Sequence, residues 1–266
     1  GASILNDVEV LSRTTLFWRS FTHWIGGMGV LVFLLAVLPL SGGSNINLMK
    51  AESPGPSVSK LVPKVQSTAK ILYTIYIILT IVEIIFLLIG KMPLFDTLCL
   101  SFGTAGTGGF GIKNDSIASY STYNQVVITV FMILFGINFN AYYLLLTKKV
   151  MQAAKNEEVR YYLGIIGLAI VAIAINTREM FTSFGRAFQQ AAFQVGSIIT
   201  TTGYATTDFN VWPVFSKTIL VILMFVGACA GSTGGGFKCG RLLLVFKSLR
   251  RNIQKMLRPQ RIQAVR

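Results

Sequence analysis

Five apolar runs, residues 16–40, 71–90, 125–147, 161–176 and 211–228, dominate this chain. They approach or exceed the roughly 20 residues that a helix needs to cross a bilayer, and the shortest requires its flanks to do so. Segments this long and apolar satisfy their backbone groups in hydrocarbon only as α-helices. Composition agrees. The 266 residues are 53% hydrophobic and 13% charged, against about 25% charged in a soluble domain. The chain reads as an all-α, multi-pass membrane protein held in a lipid bilayer.

The pieces between the runs repeat a plan. In one block, residues 71–90 lead to a short amphipathic stretch, 94–103. The loop Thr104-Ala105-Gly106-Thr107-Gly108-Gly109-Phe110 follows, then the run 125–147. In the next, residues 161–176 lead to 183–198, then Ile199-Thr200-Thr201-Thr202-Gly203-Tyr204, then the run from 211. Thr107-Gly108-Gly109-Phe110 lines up with Thr201-Thr202-Gly203-Tyr204, and Asn114 with Asp208. Such self-similarity marks a repeated supersecondary unit. The opening fits the tail of a further copy, with Gly1 as its loop glycine and 16–40 as its closing span. The expected division is 1–67 for the end of repeat one with a linker, 68–157 for repeat two, and 158–266 for repeat three with a basic extension. The abrupt start without Met, and the basic end without another apolar run, suggest a piece of a longer protein.

The stretch between paired spans is too short and too polar to cross fully. It enters as a short helix and returns as a loop, which is tolerated only where protein buries it or water reaches it. Charge sets the orientation. The formal net charge is +14, and segments 41–70, 148–160 and 238–266 hold 17 of the 24 Lys and Arg residues. With two crossings per repeat all three lie on one side, which the positive-inside rule makes cytoplasmic. The loops then enter from outside. A nucleic-acid partner is not expected, because the basic tail lacks aromatic residues for base stacking. Anionic lipid is the simpler partner for its run from Lys247 to Lys255.

The loop chemistry suits a dehydrated cation. Rings of backbone carbonyls replace the hydration shell of K⁺, and inward-turned carbonyls call for glycine, which tolerates unusual dihedrals. The preceding short helix points its negative dipole end at the path. A tight membrane turn is the competing reading, and the pairing of two aligned loops argues against it. Phe17-Trp18-Arg19-Ser20, Trp24-Ile25-Gly26-Gly27-Met28-Gly29, Thr107–Phe110, Thr200–Tyr204 with Asp208-Phe209, and Gly231-Ser232-Thr233-Gly234-Gly235-Gly236 together resemble the Trk/Ktr potassium transporter family over nearly the whole chain. The resemblance implies four potassium-channel-like repeats (helix, pore helix and loop, helix) with one filter glycine in each, and K⁺ uptake across the cell (inner) membrane. It assigns Gly1, Gly109 and Gly203 as filter glycines, with Thr107, Gly108, Thr201 and Thr202 beside them and K⁺ at Gly109 and Gly203. The start of repeat one and all of repeat four are missing. A homodimer and a cytoplasmic nucleotide-binding regulatory subunit are implied as partners. No cofactor is expected, and K⁺ is cargo.

Residues 227–238 are so rich in glycine that no stable helix continues through them. The resemblance makes Gly231, Ser232, Thr233, Gly234, Gly235 and Gly236 an intramembrane gate loop. A small-residue helix-packing patch is the competing reading. If the preceding helix runs straight, the loop lies roughly 25 Å deeper than Gly203. Three enzyme-like patterns in these glycines lack their required contexts, so the chain is expected not to be an enzyme. A less selective Na⁺/K⁺ pathway is the alternative transport reading, and an intramembrane hydrolase using Ser232 and His23 the remote one. Glu83 is an acid at membrane depth, hence functional or bonded to a neighbour. Asn138 and Asn140 fall in mid-span. His23 reads as a packing group, Arg13 and Arg19 as anchors, and Cys99, Cys229 and Cys239 as free buried thiols.

Overall fold

The computed structural model describes Leu5, residues 7–29 and residues 65–257. Among these the secondary structure is helical, with no strand. The helices are α1 (Arg13–Gly27), α2 (Val65–Ile89), α3 (Leu94–Ala105), α4 (Thr122–Phe135), α5 (Phe139–Leu146), α6 (Val150–Ala154), α7 (Glu157–Asn176), α8 (Phe184–Ile199), α9 (Val214–Val226) and α10 (Cys239–Leu257).

The first span of each full repeat shows why these segments are helical and lipid-facing. In α2, residues 69–89 have a mean hydropathy of 2.6. Besides Ile75, its buried positions are Ala69, Tyr73, Tyr76, Thr80, Glu83 and Leu87. That alternating spacing of four and three is one face of a helix. The other face, with Ile78, Ile81, Ile85 and Ile89, is exposed and apolar, as lipid requires. In α7 the buried face runs through Tyr162, Ile166, Ala169 and Ile173. Asn156 caps that helix by accepting from the Val159 N–H at 3.4 Å, and Glu157 and Glu158 sit in its first turn, where the dipole favours acids.

The short helices do not cross. With 12 residues, α3 is about 18 Å long, well under the bilayer core. Its buried residues include Thr97, Cys99, Leu100, Ser101, Gly103 and Thr104. The 16-residue α8 is enclosed in the same way, with Gln190, Gln194, Phe193 and Val195 buried. Each is walled by the spans of its own repeat, and α8 also packs on α4.

Two expected spans are interrupted. The run 125–147 is not one straight helix, since α4 and α5 meet at a bend of 91° across Gly136, Ile137 and Asn138. The run from 211 gives only the 13-residue α9, which stops at Gly227. The run 16–40 is described only as far as Gly29; α1 covers its first part, capped by Ser12 accepting from the Thr15 N–H.

Candidate functional site

After α3 and α8 the chain makes the same turn twice. The Gly108 and Gly109 amides both reach the Gly103 carbonyl, at 2.8 and 3.4 Å, and the Thr107 amide reaches Thr104 at 3.0 Å. In repeat three the Thr202 and Gly203 amides reach the Ser197 carbonyl, at 2.9 and 3.3 Å, and the Thr201 amide reaches Ile198 at 3.0 Å. Dihedrals match as well. Thr107 and Thr201 lie at φ 47° and 59°, and Gly109 and Gly203 at 69° and 89°. A left-handed β-branched residue is a genuine conformational outlier, and here it occurs at the same place in both loops. Each helix thus ends by handing its carbonyls to the loop amides, and the loop then turns left-handed at its glycine.

The two loops adjoin. A Cβ on Gly109 would strike the Thr202 carbonyl and lie 3.2 Å from the Gly203 carbonyl carbon. A Cβ on Gly203 would meet nothing within 4 Å, so only its φ demands glycine. Helix α1 packs on the repeat-two loop. Gly27 fits against Gly106, a Cβ on Gly108 would strike the His23 ring, and that ring lies 4.0 Å from the Phe110 ring. Arg19 stands over the Phe110 ring at 4.6 Å.

Residues 227–238 form a third loop that folds back onto the first two. Gly227, Gly231, Gly236 and Lys238 all have positive φ. The Thr107 hydroxyl donates to the Thr233 carbonyl at 3.0 Å, and the Gly235 amide donates to the Thr201 hydroxyl at 2.7 Å. The loop also fills the break between α4 and α5. The Cys229 amide donates to the Gly136 carbonyl at 3.0 Å, the Thr233 hydroxyl to Phe135 at 3.2 Å, and the Phe139 amide to Gly231 at 2.9 Å. Glu158 holds both ends, since one carboxyl oxygen accepts from the Ala230 amide at 2.7 Å and the Gly240 amide at 2.9 Å. Lys238 donates to the Gly234 carbonyl, and Lys247 pairs with Glu157.

The expected depth of this loop needs correction. It does not lie a helix length below Gly203, because α9 ends early and the chain doubles back onto Thr107 and Thr201. Asn138 and Asn140 are likewise not mid-helix groups. Asn138 caps α5 by accepting from the Asn140 amide at 2.9 Å. Ser232 and His23 do not pair: the Ser232 hydroxyl donates to Cys229 at 2.6 Å, and His23 Nδ1 is buried without a hydrogen bond. A hydrolase needs that contact. Glu83 is wholly buried on α2, beside Thr104 of α3 and near Tyr76 and Tyr204. Arg13 stands over Phe95 at 5.8 Å. The three cysteines are free and buried. Gly1 lies outside the described residues. Sequence reasoning missed Glu158, whose partners are 72 and 82 positions away, and it missed Tyr204 as a contact between repeats.

Asn114, aligned in sequence with Asp208, joins repeat one to repeat two. Its amide nitrogen donates to Asp7 at 2.7 Å, its carbonyl oxygen accepts from the Val8 amide at 2.9 Å, and its backbone amide reaches Glu9 at 3.1 Å. Hydrogen bonds from Asn114 and then from the Glu9 amide hold the Asp7 carboxyl below its ordinary range. Asp208 instead caps a short 3₁₀ turn by accepting from the Asn210 amide.

The whole chain, residues 1–266, matches the TrkH family, described as a cation transport protein. A Trk system potassium uptake protein TrkH from Vibrio parahaemolyticus is 35% identical over 274 residues. Its counterpart from Salmonella typhimurium is 32% identical over 271 residues. All of this chain aligns in both cases, with 56% of either relative. The crystal structure of the potassium transporter TrkH from Vibrio parahaemolyticus superposes with a TM-score of 0.84 at 31% identity, covering all of this chain and 55% of that one. The chain therefore spans about half the length of the relatives it matches.

Proposed function

We propose, from the premise that this chain belongs to the TrkH cation transport family, that it carries two of the filter loops of a K⁺ uptake path and the loop that gates it. The carrying observation is the repeated turn. Two short buried helices end in the same pattern of hydrogen bonds, each followed by a left-handed threonine and a left-handed glycine, and the two turns stand side by side. Carbonyls presented this way can replace water around K⁺, and no covalent chemistry is involved. The third loop lies against the helix-end side of both filters, so its position decides whether an ion leaving them can pass. Names given to the relatives supply the ion, potassium, and the direction, uptake. The membrane concerned is the cytoplasmic one, with the basic segments inside. A second copy and a cytoplasmic nucleotide-binding regulator complete the proposal; co-purification from detergent tests both.

The experiment is ion uptake by cells that depend on this transporter, with K⁺ and Na⁺ compared. Gly109→Ser and Gly203→Ser should each lower the preference for K⁺. Unchanged relative uptake of the two ions in both variants would sink the filter assignment.

A further inference from the structure

We propose that Tyr204 is a selectivity-positioning residue: its hydroxyl keys the filter of repeat three to the turn that holds the filter of repeat two. The inference rests on the filter reading above.

The segment leaving Gly203 does not run free to the surface. Tyr204 is almost wholly buried, and its hydroxyl donates to the Leu100 carbonyl on α3 at 3.1 Å. Its ring end also sits against Gly103, where any Cβ would collide with the tyrosine hydroxyl. Gly103 is the residue whose carbonyl holds the Gly108 and Gly109 amides. The tyrosine therefore touches the last turn of the helix on which the neighbouring filter is built. At its other end it is equally fixed, since its carbonyl accepts from the Ser197 hydroxyl at 2.6 Å. Ser197 in turn holds the Thr202 and Gly203 amides. One residue thus contacts the anchoring position of both filters.

Ala205 extends the joint. Its amide donates to the Ser116 hydroxyl at 3.2 Å, and its carbonyl accepts from the Ile117 amide at 3.0 Å. Its surroundings bury the joint too. Thr104, next to Gly103, donates to the same Leu100 carbonyl at 2.9 Å, and the buried Glu83 lies beside it. The aligned residue in repeat two, Phe110, has no hydroxyl and packs on His23 and Arg19 instead. The device belongs to the joint between repeats two and three.

Selectivity depends on how far apart opposing carbonyls sit, and this joint sets the spacing between two of the loops. Removing one hydrogen bond from a buried site that otherwise keeps its shape changes an equilibrium by roughly three- to tenfold. Tyr204→Phe keeps the ring and deletes only the hydroxyl.

The test measures K⁺ and Na⁺ uptake by the protein as its host makes it, with the amount in the membrane determined by blotting. Tyr204→Phe should lower K⁺ preference by about three- to tenfold at unchanged abundance. Ser116→Gly, which removes the Ala205 contact at a position with φ 57° that glycine tolerates, should act in the same direction with smaller size. Should Tyr204→Phe not accumulate, Ser116→Gly carries the test alone. Equal losses of K⁺ and Na⁺ uptake would mean a merely structural tyrosine and overturn the proposal. Gly203→Ser is run alongside. If it shifts preference and the two joint variants do not, the joint is wrong and the filter stands. If none of the three shifts it, the filter reading falls and the joint with it.

Discussion

Repeats two and three share a left-handed turn and differ in almost everything beneath it. Both turns are held by one carbonyl in the last turn of the short helix, and both place a threonine and a glycine at positive φ. The closing helix of repeat two breaks over three residues and restarts at once, with Asn138 as the cap. In repeat three the break spans residues 227–238 before α10 begins at Cys239. Its amides and carbonyls instead find partners on Gly136, Phe139, Thr201 and Glu158. An irregular stretch in a membrane needs its backbone groups satisfied by protein, and the small break in repeat two supplies part of what the large break in repeat three requires. The lesson is that the turn common to both is set by local hydrogen bonding, and the difference is set by what lies across the interface.

The two loop glycines of the proposed filter also differ in tolerance, which offers the strongest way to break the comparison. Gly109→Ala must hold an L-residue at positive φ and also push against the Thr202 carbonyl, whereas Gly203→Ala meets only the first demand. A left-handed residue other than glycine costs about 1–2 kcal/mol, roughly tenfold in an equilibrium. K⁺ preference should fall by about that factor in Gly203→Ala and by more in Gly109→Ala. Equal effects would show that the two loops are not neighbours in the way described.

Glu158 comes next. Its carboxylate accepts two amides, and hydrogen bonds to charged groups contribute about 1.5–3 kcal/mol each when well shielded. The side chain is only partly buried, so screening reduces this. Glu158→Ala should change uptake velocity several-fold while leaving K⁺ preference near the parent's. Loss of preference with normal velocity would place residues 227–238 in the filter.

Thr107→Val tests the link from repeat two to the gate loop. The exchange keeps β-branching, and so the backbone demand, and removes only the donor to Thr233. The expected change in velocity is about threefold. Alanine at Gly235 should behave differently from alanine at Gly231. A Cβ at Gly235 lies 2.8 Å from the Thr201 hydroxyl, but one at Gly231 meets Asn138 at 3.3 Å. Gly235→Ala should therefore touch selectivity as well as velocity, and Gly231→Ala velocity alone.

The smallest effect concerns repeat one. The lowered Asp7 carboxyl means that its bond to Asn114 favours the charged form. Its contribution is full above the ordinary carboxylate range and is lost as pH falls through the lowered value. The protection of the Val8 and Asn114 amides against hydrogen exchange, relative to the intrinsic rate at each pH, should fall on acidification. In Asn114→Ala the Val8 amide should exchange quickly at every pH.

Membrane character, the all-helical class and the glycine turns after the two short helices were legible in the sequence because each follows from local patterns. Apolar length demands a helix, charge bias orders the ends, and a glycine after a short helix marks a turn. The kink at Gly136–Asn138, the return of residues 227–238 beneath Thr107 and Thr201, the clasp on Glu158 and the reach of Tyr204 to Leu100 were decided only by tertiary structure. A broken helix leaves backbone donors and acceptors that can be satisfied in many directions, and no local rule selects among them. The partners that were selected lie some 70 to 126 positions away for Glu158 and Thr107. Only the packing of one repeat against the next brings them within hydrogen-bond reach.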